Sequence, residues 1–423
     1  MSTHTTHTTL PTPHSPVHKT PWRYIFAGLA ASLIGIGLAR FAYTPLIPPM
    51  IHANWFSAAD VVYLSAANLA GYLFGALLGR PIAARITNVH TLRLMTLLVT
   101  LSFLGCAFPL SVAWFFGWRF ISGVAGGAIM VLVAATLLPH IPGERKGVAS
   151  GAIFLGLGLG IAGSGTLCPL LLNLGLRETW LGLGVLSAIF TAASWFAWPP
   201  AKHTAKAPDH TAAAPHATHP AAPAPRNGFI LNVLYVEYAL MALGLVPAMV
   251  FLVDFVARGL GAGAHLGSMF WILYGVGALF GPPLYGFLAD KMGGRDALRL
   301  ILLVEAIAGA FLCASNNQAF IAFLTIVIGT FPPGIPPLFL ARVRELIPHS
   351  VHQQNVVWSR ATIVFALFQA LCGYGYSAIF NASGGDHRLL FLIAAISLGV
   401  AVLLDAGTSL VSGSKGRKRI HSA

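Results

Sequence analysis

The stretch that decides the fold occurs twice in this chain. The first copy is Gly71-Tyr72-Leu73-Phe74-Gly75-Ala76-Leu77-Leu78-Gly79-Arg80-Pro81. The second copy, at an offset of 202 residues, is Leu273-Tyr274-Gly275-Val276-Gly277-Ala278-Leu279-Phe280-Gly281-Pro282-Pro283. Six positions are identical without a gap, and residues 138–140 align with residues 347–349 at an offset of 209. A chain of two tandem halves is the simplest account of these matches.

The composition indicates a membrane protein. Hydrophobic residues make up 56% of the 423 residues and charged residues only 9%, and the mean hydropathy is +0.76. This balance excludes a soluble domain of this size. A helix needs about 20 mostly apolar residues to cross a bilayer. Twelve stretches meet this need, at roughly 24–51, 59–81, 92–111, 112–138, 147–173, 179–199, 228–256, 264–289, 296–315, 318–342, 356–380 and 387–411. The predicted fold class is an all-α membrane protein with twelve transmembrane helices in two pseudo-symmetric six-helix bundles.

The net charge of +13 indicates topology rather than a nucleic acid partner. If the N-terminus is cytoplasmic, the inside segments hold 19 of the 25 Lys and Arg residues, while three lie in outer loops and three within spans. Basic residues accumulate in cytoplasmic loops. We therefore expect both termini on the cytoplasmic side of the cell's inner (plasma) membrane, and no binding of nucleic acid.

The segments outside the spans are polar and of low complexity. Residues 22–199 and 228–411 are the predicted bundles, and residues 412–423 form a basic cytoplasmic tail. Residues 1–21 and the linker 200–227 are rich in Pro and His, with Thr or Ala, so both are predicted to be disordered and cytoplasmic. The irregular spacing of their histidines favours solvated chain over a metal site. We predict no cofactor, no metal, and a monomer in contact with membrane lipid.

The loop between the eighth and ninth predicted helices carries a family resemblance. Its sequence, Gly286-Phe287-Leu288-Ala289-Asp290-Lys291-Met292-Gly293-Gly294-Arg295, is similar to the loop motif of the major facilitator superfamily. On helix 4, Arg119-Phe120-Ile121-Ser122-Gly123-Val124-Ala125-Gly126-Gly127 is similar to that superfamily's Arg-plus-glycine motif. Residues 39–48 with residues 66–72 resemble the YbfB/YjiJ subgroup, and the resemblance covers about residues 22–411.

The resemblance implies that helices 1, 4, 7 and 10 line a central cavity. Arg40 on helix 1, Arg119 on helix 4 and Glu237 on helix 7 would then face it, whereas Glu305 on helix 9 and Asp405 on helix 12 would not. A guanidinium within a span is costly unless it faces a polar cavity or a partner. Arg40 is therefore predicted to bind an anionic group of the substrate, the alternative being a packing cation held by backbone carbonyls.

Arg119 and Glu237 have several open roles. For Arg119 these are substrate contact, proton coupling and structural pairing. Glu237 is predicted to contact substrate and to load and release a proton, and its alternative is a static counter-ion to Arg40 or Arg119. Tyr43, Asn68 and Tyr238 are predicted to supply hydrogen bonds to the substrate, although packing roles are common for such residues.

A second group of residues is predicted to control opening. Asp290 and Arg360 are expected to form an ion pair that holds the inner side of the second half, with Arg295 in the same loop motif. The first half lacks the corresponding charges, since no Asp or Glu occurs between Asp60 and Glu144. The alternative is that each charge meets water and lipid headgroups.

Helix 10 carries prolines at positions 332, 333, 336 and 337. Proline removes a hydrogen bond from the helix interior. An unwound hinge at Pro332, Pro333 and Gly334 is therefore predicted, with a static kink as the alternative.

These features favour a secondary active transporter that moves a small polar or anionic solute by alternating access, with proton coupling as an option. No Walker sequence occurs, so ATP is not expected to be the direct energy source. We predict no enzyme, because no catalytic cluster such as His-Glu-x-x-His lies in the spans. The other class considered is a transport-derived sensor or lipid-interacting protein without solute turnover.

Overall fold

Long helices account for nearly all of the computed structural model, which describes residues 22–200 and 228–420; these ranges contain no β-strand. The first helix, α1, consists of four consecutive segments: Trp22–Ser32, the π-helical turn Leu33–Leu38, Ala39–Phe41 and Tyr43–His52. The rest of the first half (residues 22–200) comprises α2 (Ala58–Ile86), α3 (Asn88–Cys106), α4 (Val112–Leu137), α5 (Lys146–Leu172) and α6 (Leu176–Ser194). The second half (residues 228–420) comprises α7 (Gly228–Asp254), α8 (Gly263–Met292), α9 (Gly294–Ala314), α10 (Gln318–Leu346), α11 (Val351–Ala382) and α12 (His387–Ile420).

These helices occupy all the positions that the sequence predicts. Within residues 22–200 and 228–420, ten helices are long and apolar enough to cross a membrane. Helices α2 and α6 do not meet this criterion. The prediction of an all-helical membrane chain is thus confirmed. The predictions for residues 1–21 and 201–227, and for the end of the basic tail, concern segments outside the described residues.

The repeated stretch has the same packing role in both halves. A Cβ atom on Gly75 of α2 would lie 2.0 Å from the carbonyl oxygen of Val124 on α4. A Cβ atom on Gly277 of α8 would lie 2.0 Å from the carbonyl oxygen of Ile326 on α10. Both the glycines and the residues they meet are 202 positions apart. The sequence repeat therefore encodes two equivalent close helix contacts, because only glycine lets the backbones approach this far.

The halves meet most extensively along α5 and α8, and more sparsely between α2 and α11. Small residues line the α5–α8 contact from one end to the other. A Cβ atom on Gly151 would lie 2.4 Å from the carbonyl oxygen of Pro282, and one on Gly158 would lie 2.0 Å from that of Ala278. The glycines of α5 therefore serve helix packing.

Gly158→Ala is expected to lower the melting temperature of the purified protein in detergent. The added methyl group would overlap the carbonyl oxygen of Ala278, and such overpacking costs about 1–3 kcal/mol. Gly399→Ala on α12 is the matched control, since a Cβ atom there meets nothing within 4 Å and alanine favours helix. Equal melting shifts in the two variants would contradict the tight α5–α8 contact.

The proline-rich helix α10 runs unbroken from Gln318 to Leu346, so it is not unwound at Pro332, Pro333 and Gly334 as predicted, and the role of these residues in opening stays a prediction. The four prolines form two pairs with a spacing of four residues, and residues four apart lie on the same face of a helix. The four positions that lack a backbone N–H group therefore lie along one side of the helix. The other sides keep their backbone hydrogen bonds.

Candidate functional site

The first helix is irregular close to its intramembrane arginine. The π-helical turn Leu33–Leu38 leads directly into the short segment Ala39–Phe41. Gly37 lies in this turn, where a Cβ atom would come within 2.8 Å of the Cα atom of Gly160 on α5. Single π-helical turns are frequent at functional sites. Arg40 therefore projects from a locally distorted part of α1, a feature that apolar periodicity does not predict.

Arg119 of α4 braces this distorted segment. Its Nη1 donates to the carbonyl oxygen of Ala39 at 2.6 Å, and its guanidinium carbon lies 4.2 Å from the centre of the Tyr43 ring. Tyr43 donates its hydroxyl proton to the carbonyl oxygen of Val61 at 2.8 Å. Both side chains are buried within the first half, so their predicted placement in the central cavity is wrong. They instead fix the backbone beside Arg40.

Asn68 of α2 also has a packing position. Its Nδ2 donates to the Ser122 hydroxyl at 2.9 Å and to the carbonyl oxygen of Arg119 at 3.4 Å. Asn68 is buried and joins α2 to α4. The structure thus favours the packing alternative for Asn68 over direct contact with a solute.

A cavity lies where the two halves meet, and we call it the central cavity. Its lining residues are Ile36, Arg40, Phe41, Tyr72, Met130, Leu157, Tyr238, Leu245, Met249, Pro332, Ile335, Pro336, Thr362, Phe365 and Gln369. Its open volume is about 30 Å³. That is room for roughly two water molecules at ~10–15 Å³ each. An organic solute can therefore enter only after the halves move apart.

A hydrogen bond between the halves helps to hold the cavity in this compact form. Trp358 of α11 donates its Nε1 proton to the carbonyl oxygen of Met130 on α4 at 3.0 Å. Phe154 of α5 packs against the same indole ring. The indole thus connects α11 of the second half to α4 and α5 of the first.

Arg40 is the charged side chain of the central cavity. Its Nη2 atom is buried and has no hydrogen-bond partner among the described residues. The guanidinium carbon lies 5.7 Å from the centre of the Tyr72 ring and 5.8 Å from that of Phe41. No carboxylate lines the cavity in the part of the chain that the structure describes, and Arg119 adds electrostatic repulsion. A buried cation without a counter-ion is costly, so this arrangement favours the binding of an anion.

Tyr238 is the polar residue that α7 supplies to the cavity. Its ring packs against Phe339 at 4.1 Å and Phe365 at 4.7 Å between centroids. Tyr238 thus lies where the sequence places it, in an aromatic wall on the side of the second half. Its contact with a solute stays a prediction.

Glu237 is buried but does not line the central cavity, so its predicted placement there is wrong. Consecutive helical residues point about 100° apart. Because α7 presents Tyr238 to the cavity, Glu237 faces the interior of the second half. The charged residues that interact electrostatically with the Glu237 carboxyl group are Asp405, Arg342, Arg295 and Arg299. It is therefore a counter-ion to neither Arg40 nor Arg119.

Asp290 connects the two halves at the face that is predicted to be cytoplasmic. Its Oδ1 accepts the N–H of Gly147 at 2.9 Å, and its Oδ2 accepts the N–H of Val148 at 2.8 Å. These are free N–H groups at the start of α5, where the helix dipole favours negative charge. Arg360 instead interacts with Tyr235, and no ion pair joins it to Asp290 within residues 22–200 and 228–420. The predicted Asp290–Arg360 pair is therefore wrong.

Glu345 forms a similar cap within the second half. Its carboxylate accepts the N–H groups of Gly294 and Arg295 at the start of α9, the latter at 3.0 Å. The Arg295 side chain donates to the Thr408 hydroxyl at 3.2 Å and lies 3.8 Å from the Asp405 carboxylate. Arg295 thus ties α9 to α12 inside one half rather than joining the halves.

Gln369 and Thr362 of α11 are cavity residues that the sequence interpretation did not select. The resemblance implies a cavity lined by helices 1, 4, 7 and 10, and α11 is not among them. The available signal was an uncharged polar side chain within an apolar span. Gln369 is buried, as expected for a polar group that faces protein rather than lipid.

The family model described as "Uncharacterised MFS-type transporter YbfB" matches residues 32–406. The chain belongs to this family of the major facilitator superfamily. Its fold is similar to the structure of the proton:xylose symporter XylE bound to 6-bromo-6-deoxy-D-glucose, with a TM-score of 0.69 and 14% identity. That match covers 91% of this chain and 94% of the other. No curated relative matches the sequence. The resemblance inferred from the sequence motifs is thus confirmed, and the protein is a multi-pass membrane protein of a transporter family.

Proposed function

We propose that this protein is a secondary active transporter that moves a small anionic solute across the membrane by alternating access. The observation that carries the proposal is Arg40, a partly buried cation with an unpartnered nitrogen in a cavity lined by no carboxylate of the described chain. Membership of a transporter family supports transport of a solute. Among the predicted polar or anionic solutes, Arg40 favours an anion.

The proposal includes the full architecture and its orientation. The ten helices with clear membrane-spanning length are joined by α2 and α6, which gives two six-helix bundles at residues 22–199 and 228–411. Both termini face the cytoplasm from the inner (plasma) membrane, since basic residues accumulate in the corresponding loops. The protein works as a monomer.

The closed cavity indicates which movement transport requires. Its open volume of about 30 Å³ excludes an organic solute, so one face must open before loading. On the predicted cytoplasmic face, Asp290 of α8 binds the start of α5 and would have to release it. A rocking of the halves about the central cavity, with this contact broken in one state, is the simplest cycle.

Counterflow in proteoliposomes tests the proposal. Purified protein, without ATP, is expected to exchange a labelled monocarboxylate or dicarboxylate against the same unlabelled anion, and to ignore neutral sugars such as xylose. Exchange of xylose but of no anion would overturn the anion assignment. Binding of an anion in a thermal-shift screen without any counterflow would favour the sensor or lipid-interacting alternative.

A further inference from the structure

The walls of the central cavity carry little besides Arg40 that could bind a polar solute. The Thr362 hydroxyl already donates to the carbonyl oxygen of Trp358 at 2.9 Å. Gln369 supplies one amide, and the remaining polar atoms are the hydroxyls of Tyr72 and Tyr238. Proline, leucine, isoleucine, methionine and phenylalanine side chains form the rest of the lining.

From this lining we infer that the solute is an organic anion with one negative charge and an apolar, preferably aromatic, body. The inference rests on the proposed function and specifies its substrate class. One carboxylate neutralises Arg40, whereas a second would be an unpaired charge in a site of low polarity. A polyhydroxylated solute would leave hydroxyls without partners, at about 1–3 kcal/mol each.

The shape and chemistry of the wall favour a flat body. Tyr238 and Phe365 present rings that are tilted by 38° to each other with centroids 4.7 Å apart, and aromatic side chains of this kind bind further rings. Met130 and Met249 line other parts of the cavity, and methionine adapts easily to apolar ligands. Arg40 lies above the Tyr72 ring, which leaves the edge of its guanidinium for a carboxylate.

Calorimetry with five probes tests this class independently of transport. Benzoate is expected to bind at least tenfold more tightly than acetate, and about 100-fold more tightly than its neutral counterpart benzyl alcohol. Succinate and xylose are expected to bind more weakly than benzoate. Tighter binding of succinate or xylose than of benzoate would overturn the inference. Benzoate binding without counterflow would sustain the ligand class and reject transport, so the two failures are distinguishable.

A separate observation concerns Glu305 of α9, a carboxyl group buried within the second half. Its Oε1 accepts the Tyr285 hydroxyl at 3.2 Å and the Thr330 hydroxyl at 3.4 Å. The Thr330 hydroxyl has a single proton, and the carbonyl oxygen of Val327 competes for it at the shorter distance of 2.7 Å. A carboxylate at Glu305 would therefore have few donors. No lysine or arginine of the described chain forms an ion pair with Glu305.

Tyr274 interacts electrostatically with both Glu305 and the arginine of the central cavity. A small cavity of about 20 Å³, room for roughly one water molecule, is lined by Glu305 and Tyr274 and shares Leu245 and Pro332 with the central cavity. The Tyr274 hydroxyl is buried without a hydrogen-bond partner among the described residues.

The other surroundings of Glu305 are apolar. From α7 the small cavity is lined by Gly244, Leu245 and Ala248, and from α12 by Phe391, Ala394, Ala395 and Leu398. The titratable groups that face Glu305 are therefore Tyr274 and Tyr285, both of α8. Asp405 of α12 is bound to Arg299 instead, at 2.5 Å.

From this geometry we infer that Glu305 is a proton-binding site of the transport cycle, with Tyr274 between it and the bound anion. Carboxyl groups inside membrane spans are costly and mark proton relays in many transporters. Glu305 holds its proton while the site is closed and exchanges it when the central cavity opens to water. This role also rests on the proposed function, and it assigns coupling to Glu305 rather than to Glu237.

Glu305→Gln tests the assignment, with Glu237→Gln as the matched control. In proteoliposomes, Glu305→Gln is expected to keep benzoate counterflow but to lose at least 90% of the accumulation driven by a pH gradient. Glu237→Gln is expected to keep both activities. Normal accumulation by Glu305→Gln would overturn the proton role, and absent counterflow in the wild type would instead reject the proposed function.

A second measurement tests the same assignment without the Glu305→Gln variant, and it applies if that variant does not fold. Benzoate binding to the wild type in weakly buffered solution is expected to change the number of bound protons, which a pH indicator records. Tyr274→Phe, which removes only the hydroxyl, is expected to slow this proton exchange at least tenfold. An unchanged proton count on binding, or an unchanged rate in Tyr274→Phe, would contradict the inference.

Discussion

Arg40→Gln is expected to weaken benzoate binding about 100-fold and to abolish benzoate uptake. Truncating one partner of a buried, hydrogen-bonded charge pair costs about 2–5 kcal/mol or more, and about 1.4 kcal/mol corresponds to a factor of ten in affinity. Glutamine fills similar space and offers neutral hydrogen bonds, so the loss reports on charge. Calorimetry and proteoliposome uptake measure the two effects.

The same substitution is expected to raise the melting temperature of the unliganded protein. Arg40 has a buried nitrogen without a partner, so its removal relieves a desolvation cost. Arg119→Gln is the contrasting variant, because it removes the hydrogen bond to Ala39 and the contact with the Tyr43 ring. It is expected to lower the melting temperature. Unchanged benzoate affinity in Arg40→Gln would show that the anion binds elsewhere.

Arg40→Lys separates charge from geometry. Lysine keeps the positive charge but replaces the planar guanidinium by a compact ammonium with different donor directions. We expect an affinity between those of the wild type and Arg40→Gln. Benzyl alcohol, which has no charge, is expected to bind all three proteins equally weakly.

The fold could be predicted from the sequence because its signals are strong and repeated. Apolar stretches mark the helices, ten of which have membrane-spanning length and hydropathy in the described residues, and the matched glycines at positions 75 and 277 mark equivalent helix contacts. The importance of Arg40 was also accessible, since an arginine in an apolar span needs a polar surrounding. What the sequence could not supply is the direction in which each side chain points.

Three wrong placements illustrate this limit. Glu237 and Tyr238 are neighbours on α7, and a rotation of about 100° decides which of them lines the cavity. Arg119 donates to the backbone carbonyl of Ala39, in the short segment that follows the π-helical turn of α1, and the sequence does not predict that turn. Asp290 prefers backbone N–H groups of another helix to the arginine that charge matching suggested. In each case a tertiary contact, not local pattern, selects the partner.

Asp290→Asn is expected to open the face that is predicted to be cytoplasmic. The substitution keeps the shape of the side chain but removes the charge that binds the start of α5 across the two halves. Loss of a charged partner at a helix N-terminus costs about 1–2 kcal/mol in a partly buried setting. That shifts the ratio of closed to open molecules roughly 5- to 30-fold.

Spin labels on either side of the contact measure this shift. With the native cysteines replaced, labels introduced by Glu144→Cys and Lys291→Cys lie at the adjoining ends of α5 and α8, and both positions are exposed. Double electron–electron resonance is expected to show a longer distance population in Asp290→Asn than in the otherwise identical labelled protein.

Glu345→Gln is the control that shows whether the effect depends on a cap between the two halves or on the loss of any such cap. It removes the same kind of charge from the same kind of helix start, but Glu345 and α9 belong to one half. Glu345→Gln should therefore lower the melting temperature without changing the label distances. Equal distance changes in both variants would mean that the effect comes from general loosening of the second half. Only a change confined to Asp290→Asn identifies the carboxylate as the contact that the halves must break to open.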